Sequence, residues 1–369
     1  MAYRPTLHCT IEGAVDVEHS GWKETMRQTL RLVRSGRVHE ATQLIRRSIR
    51  GASTAPRGFD SRSQDVQTAR TVPESSLLLP SPLARAPHGR PERAPPLHRR
   101  APAPLRHRLF VPDTGYGARP LLVMLHGCKQ DPTDFARGTR MDHAAGARGW
   151  YVLYPEQSQR ANGARCWNWF DPRNHSVGRG EAAALMTMID EIVAAHPVDA
   201  SRVYVAGLSA GAAMAVLLAA NHPERFAAVA AHSGLPYGAA TSVPEAFTAM
   251  RDGGDAPALP RTGYVPLLAI HGDADPTVSP RNTERLVAQW RAWGGEDGWT
   301  HSVFADGQAG RAYRRERWSR ADGSPVLEHW RVAGLGHAWS GGDPQGSYAD
   351  PIGVDASAVV LAFFDAIRE

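Results

Sequence analysis

The chain reads as an α/β protein whose mostly parallel central sheet is covered by helices on both faces, and three observations carry that reading. From residue 105 to the C-terminus, short apolar runs of strand length alternate with segments of helical periodicity. The run 120–125, Pro-Leu-Leu-Val-Met-Leu, is apolar throughout, as in a strand buried on both faces. Between residues 203 and 211 a β-branched and aromatic run passes directly into Gly207-Leu-Ser209-Ala-Gly211. Read physically, that is a strand, a tight turn and a helix, with glycine on both sides of a serine so that strand and helix can approach each other.

Composition bounds the rest. A length of 369 residues, 42% hydrophobic and 21% charged, suits one large globular domain with additional material, or two domains. No apolar run approaches the roughly 18 residues of a membrane span. The N-terminus, Met1-Ala-Tyr-Arg-Pro-Thr-Leu-His-Cys9, lacks a basic region followed by an apolar stretch, so the chain reads as soluble and cytoplasmic. The net charge of +5 does not imply a nucleic-acid partner: lysine occurs only at Lys23 and Lys129, and the arginines concentrate in an unpatterned region rather than on one helix face. Cys9, Cys128 and Cys166 make no disulfide framework and have no metal-ligand spacing, so no metal is expected.

Taken in order, residues 1–50 hold two apolar stripes at helical spacing. Trp22, Met26, Leu30 and Val33 form one, and Val38, Ala41, Leu44, Ile45 and Ile49 form the other beyond Gly36. Such an α-hairpin with basic outer faces is suited to self-association or to docking on a lipid or polymer granule surface. Residues 51–104 contain ten prolines, many arginines and serines, and one apolar cluster at Leu77-Leu78-Leu79. A segment of that composition cannot bury enough surface to offset its ordering entropy, and it reads as a disordered linker. The globular domain is expected over residues 105–369. Its strands are expected at 108–112, 120–125, 150–154, 203–205, 226–231, 265–271 and 326–332. Helices are expected at 180–196, 210–221, 280–293 and 355–367. In a parallel sheet the chemistry sits beyond the C-terminal ends of the strands, where Gly127, Ser209, Asp275 and His337 all fall.

Ser209 is the candidate nucleophile. A serine at its ordinary pKa attacks poorly, so an imidazole must take its proton and a carboxylate must orient that imidazole. In an α/β-hydrolase fold these follow in the order Ser, acid, His. His271-Gly-Asp273-Ala-Asp275-Pro-Thr-Val278 ends an apolar strand, and Gly334-Leu-Gly-His337-Ala-Trp339 follows the last one. Asp275 is the preferred acid, since the residues after it restart the chain towards a helix, whereas Asp273 suits the cap of the turn. His337 has the required order and context among 16 histidines, while His271 and His232, in or at the ends of strands, read as satisfied core or turn groups. The oxyanion that develops during attack needs two backbone N–H donors, expected from Ala210 at a helix N-terminus and from Cys128 in the loop after the early strand.

Together, Leu125-His-Gly-Cys-Lys-Gln130, Cys166-Trp-Asn-Trp-Phe170, Gly207-Leu-Ser-Ala-Gly211, His271-Gly-Asp-Ala-Asp275 and Gly336-His-Ala-Trp-Ser-Gly341 resemble the poly(3-hydroxybutyrate) depolymerase family of α/β-hydrolase esterases, with its feruloyl and acetylxylan esterase relatives. The resemblance spans about residues 105–369. It implies hydrolysis of an ester or polyester by a serine triad without metal or cofactor, and it admits an extracellular location, since many relatives are secreted. Trp167, Trp169 and Trp339 lie near the motifs and are candidates for a substrate-binding wall, or else fill the space beneath the site. Cys128 and Cys166 both fall on the site side of the sheet and are expected to lie close enough to bridge under oxidising conditions, leaving Cys9 free.

Overall fold

The computed structural model describes residues 105–367 apart from 114–116, 260–262, 296 and 308–309, so the α-hairpin and linker expected over residues 1–104 lie outside the described residues. Strands β1 (His107–Phe110), β2 (Arg119–Leu125), β3 (Tyr151–Pro155), β4 (Val198–Leu208), β5 (Ala228–His232), β6 (Leu267–Gly272), β7 (Thr300–Asp306), β8 (Tyr313–Ser319) and β9 (Pro325–Val332) form one sheet in the order β1-β3-β2-β4-β5-β6-β9-β8-β7. The central strands β3, β2, β4, β5, β6 and β9 run parallel, whereas β1 and the β7–β8 hairpin join antiparallel at the two edges.

Strand β2 shows how the sequence dictates the layers. Its side chains alternate across the sheet, so Leu121, Val123 and Leu125 join one apolar core while Leu122 and Met124 join another. On the first face pack α3 (Gly180–Ala195), α4 (Ala210–Asn221), α5 (Val243–Asp252) and α6 (Arg281–Gly294). The second face is covered by α1 (Pro132–Thr139), α2 (Met141–Gly146) and α7 (Ala356–Asp365). Helix α4, Ala-Gly-Ala-Ala-Met-Ala-Val-Leu-Leu-Ala-Ala-Asn, is apolar all round, and all of its residues are buried.

The sequence expectation missed α1, α2 and α5 and the β7–β8 hairpin. Helix α1 is specified by its ends: Asp131 caps it through Thr133 N–H and Asp134 N–H, Pro132 occupies the first turn, and Arg140 closes it at φ 52°. Strand β7 exposes almost every residue and β8 reads Tyr-Arg-Arg-Glu-Arg-Trp-Ser, so neither shows the apolar signature of the central strands. Beyond β9, β10 (Trp339–Ser340) and β11 (Ala349–Asp350) form a small parallel pair. Among the described residues no helix is long and apolar enough to cross a membrane.

Candidate active site

Ser209 sits at the turn between β4 and α4 with φ 58° and ψ −119°, a conformation a serine holds only where its surroundings impose it. Those surroundings are backbone. A Cβ on Gly211 would stand 2.0 Å from the Leu125 carbonyl oxygen, and one on Gly207 would stand 2.4 Å from the Gly211 carbonyl carbon. Both positions therefore require glycine. Ser209 N–H donates to the His232 carbonyl at 2.9 Å, which ties the turn to the end of β5.

The acid and base loops leave the neighbouring strands β6 and β9 and are zipped together. Asp273 N–H donates to Val332 O at 3.1 Å, Ala274 N–H to Leu335 O at 3.2 Å, and Gly334 N–H to Asp273 Oδ1 at 2.7 Å. Asp273 is therefore the cap of the turn, here of the loop that carries the base. Asp275 is the carboxylate that meets the imidazole: Oδ2 accepts from His337 Nδ1 at 2.7 Å, while Oδ1 accepts from Thr277 N–H at 2.8 Å and Val278 N–H at 2.9 Å. That bond places the His337 proton on Nδ1 and leaves Nε2 as the ring's acceptor nitrogen. Burial alone would raise the Asp275 carboxyl, but the hydrogen bonds from His271 and His337 and the Val278 N–H hold it far below the ordinary carboxylate range.

Two histidines read from sequence as core groups are both satisfied and both serve this arrangement. His271 Nε2 lies 3.3 Å from Asp275 Oδ2 and 3.0 Å from Val278 O, and its Nδ1 meets Thr283 Oγ1. With the proton on Nε2, the ring braces the same carboxylate oxygen that His337 meets. His232 contributes its carbonyl to the Ser209 turn, and its Nε2 accepts from Ser340 N–H at 3.2 Å, three residues beyond the base. Full burial, with the charges of His271 and His337, lowers His232 to about 3 and keeps it neutral. His271 was discoverable as the residue four before the acid in the same motif. His232 leaves a fainter signal, an imidazole closing an Ala-Val strand.

The loop after β2 is held on every side. Gly127 N–H donates to Gln130 Oε1 at 2.9 Å, Lys129 N–H to Ala164 O at 2.7 Å, and Gln157 N–H to His126 Nε2 at 3.1 Å. Gln130 Nε2 in turn donates to Ser347 O at 2.9 Å, a contact across 217 residues that nothing in the sequence announces. Cys128 and Cys166 form a disulfide with Cα atoms 4.2 Å apart, as expected for an oxidising environment. Ideal Cβ placement on Gly127 falls 3.7 Å from Ser209 Cβ, so this loop borders Ser209. Neither Cys128 N–H nor Ala210 N–H has an acceptor among the described residues.

The three tryptophans expected as a substrate wall are instead interior. Trp167, Trp169 and Trp339 are 0%, 5% and 1% exposed, and Trp339 stacks on His232 while its Nε1 donates to Ser357 Oγ. Such burial suits the alternative that they fill space, since each ring's area is worth more packed against the two cores than left in water.

Comparison with known proteins points the same way as the geometry. A family model described as "Esterase PHB depolymerase" matches residues 105–302. The chain is 37% identical over 248 residues to poly(3-hydroxyalkanoate) depolymerase C of Paucimonas lemoignei, spanning 64% of this chain and 59% of that protein. It is 32% identical over 255 residues to feruloyl esterase B of Neurospora crassa, spanning 64% of this chain and 84% of that protein. The solved acetyl xylan esterase from Aspergillus awamori matches with a TM-score of 0.57 at 20% identity, covering 70% of this chain and 93% of that one. The architecture is the α/β-hydrolase fold.

Proposed function

The chain belongs to the esterase PHB depolymerase family, and from that membership and the geometry around Ser209 we propose that it hydrolyses carboxylic esters by a serine mechanism with an acyl-enzyme intermediate. The observation that carries the reading is the His337 Nδ1 to Asp275 Oδ2 bond of 2.7 Å, on a base segment tied through His232 to a serine turn of the strained type nucleophiles occupy. Ser209 Oγ attacks the ester carbonyl as His337 Nε2 takes its proton. The oxyanion is received by Cys128 N–H and Ala210 N–H, whose directions are set by a disulfide-tied loop and a helix N-terminus. Collapse expels the alcohol with the proton from His337, and a water activated by the same imidazole then releases the acid and restores Ser209.

The preferred substrate class is poly(3-hydroxybutyrate), another polyhydroxyalkanoate or their soluble oligomers, in line with the named activity of the Paucimonas relative. A feruloyl or acetylxylan ester is the second reading, favoured by the fuller coverage of the Neurospora protein. The Cys128–Cys166 bond suits an oxidising compartment rather than the cytoplasm. Initial rates on hydroxybutyrate oligomers, amorphous polymer, methyl ferulate and acetylated xylan separate the two readings. Turnover of the hydroxybutyrate substrates at least tenfold faster supports the first; the reverse order supports the second, and no turnover of any ester refutes both.

A further inference from the structure

The chain between β10 and β11 brings an aromatic ring to the catalytic base on an unfavourable backbone. Tyr348 has φ 52°, the left-handed region that a bulky side chain rarely adopts. It is nonetheless 39% exposed, so core packing does not explain the strain. Its ring stands edge-on to His337 at 78°, with centroids 6.2 Å apart.

The conformation is imposed from both sides. Tyr348 O accepts from Trp339 N–H at 2.7 Å, and the next residue, Ala349, pairs with Trp339 in the β10–β11 ladder. On the other side Ser347 N–H donates to Asp134 Oδ1 at 2.9 Å, and Ser347 O accepts from Gln130, the residue that also holds Gly127. The backbone that carries the ring is thus tied to both the base segment and the loop after β2.

We propose that Tyr348 is a specificity-determining residue that packs against the alcohol portion of the ester. The inference rests on the serine-esterase reading. His337 must deliver its proton to the departing alkoxide oxygen, so the alcohol lies against the imidazole while the acyl group remains on Ser209. An exposed ring beside that imidazole therefore borders the alcohol. The ring offers apolar surface with a hydroxyl at its tip, which suits an alcohol portion with apolar or aromatic bulk. Because the alcohol leaves before water attacks, Tyr348 acts in acylation alone.

The test uses the full chain and two esters with the same acyl group, methyl butyrate and benzyl butyrate. Tyr348→Gly removes the ring and suits the left-handed backbone, Tyr348→Asn tolerates the same φ, and Tyr348→Phe keeps the ring. Both ring-less variants are expected to lose about fivefold in kcat/KM on benzyl butyrate and less than about twofold on methyl butyrate, with Tyr348→Phe within about twofold of wild type on both. Decay of the butyryl-enzyme, followed in a single-turnover chase, is expected to be unchanged. Equal losses on the two esters, or slowed decay of the butyryl-enzyme, would mean that the ring only supports His337 and would overturn the proposal. Failure of the wild-type chain to cleave either ester would instead remove the serine-esterase reading, and this inference with it.

Discussion

Asp275 is the side chain on which the site converges, and it separates the two carboxylates of one short motif. It receives His337, the N–H groups of Thr277 and Val278, and the flank of His271, whereas the Asp273 carboxylate holds the Gly334 N–H. Asp275→Asn is expected to lower kcat/KM by about a thousandfold, because an amide that donates to Nδ1 favours the wrong tautomer. Asp273→Asn retains an oxygen for Gly334 and is expected to stay within about fivefold of wild type. Steady-state rates on a soluble ester check both, and a silent Asp275→Asn beside a crippled Asp273→Asn would reverse the assignment. The pairing of Asp275 with His337 was legible because a triad proposed for this topology constrains sequence order and context. The support from His271, His232 and Gln130 was not, since a hydrogen bond between distant segments leaves no local pattern. The buried tryptophans show a related limit: adjacency to a motif does not tell which side of a loop a ring faces.

At the scale of elements, the loop after β2 is the part whose rigidity the proposed mechanism most needs. The Cys128–Cys166 bond closes a loop with a sequence separation of 38, worth about 4 kcal/mol against the unfolded chain in the loop-entropy account. Reduction is expected to lower the melting temperature and also to cut kcat by about tenfold at temperatures where the fold persists, since an oxyanion donor then loses its fixed direction. Circular dichroism and ester turnover, each measured before and after dithiothreitol, check the two effects separately; a fall in stability without a fall in kcat would remove Cys128 from the oxyanion role. The central strands and α4 were readable because a surface buried on both sides must be apolar throughout. The hairpin β7–β8 was not, because β7 is exposed almost throughout and most of β8 is only partly buried, which leaves room for arginine, glutamate and serine without periodicity.

For the whole molecule, buried neutral histidines make stability depend on acidity. Burial lowers His232 to about 3 and, with the charge of Arg331, lowers His329 to about 4, against about 6.5 in the unfolded chain. Between those limits the unfolded state binds more protons, so stability is complete above about pH 6.5 and falls as pH drops towards 4, by roughly 1 kcal/mol per pH unit for each histidine near pH 5. Urea unfolding at pH 7 and pH 5 checks the slope, and a flat profile would mean that these histidines are not buried as described. The sheet, its two cores and the loops beyond the strand ends together exist, in this account, to present one reactive oxygen. The most direct test is covalent: wild type and Ser209→Ala are treated with a fluorophosphonate, and the adduct is located by peptide mass spectrometry. One adduct per chain on the peptide bearing Ser209, absent from Ser209→Ala, is the predicted result; no adduct on wild type, or equal labelling of both proteins, would contradict the account.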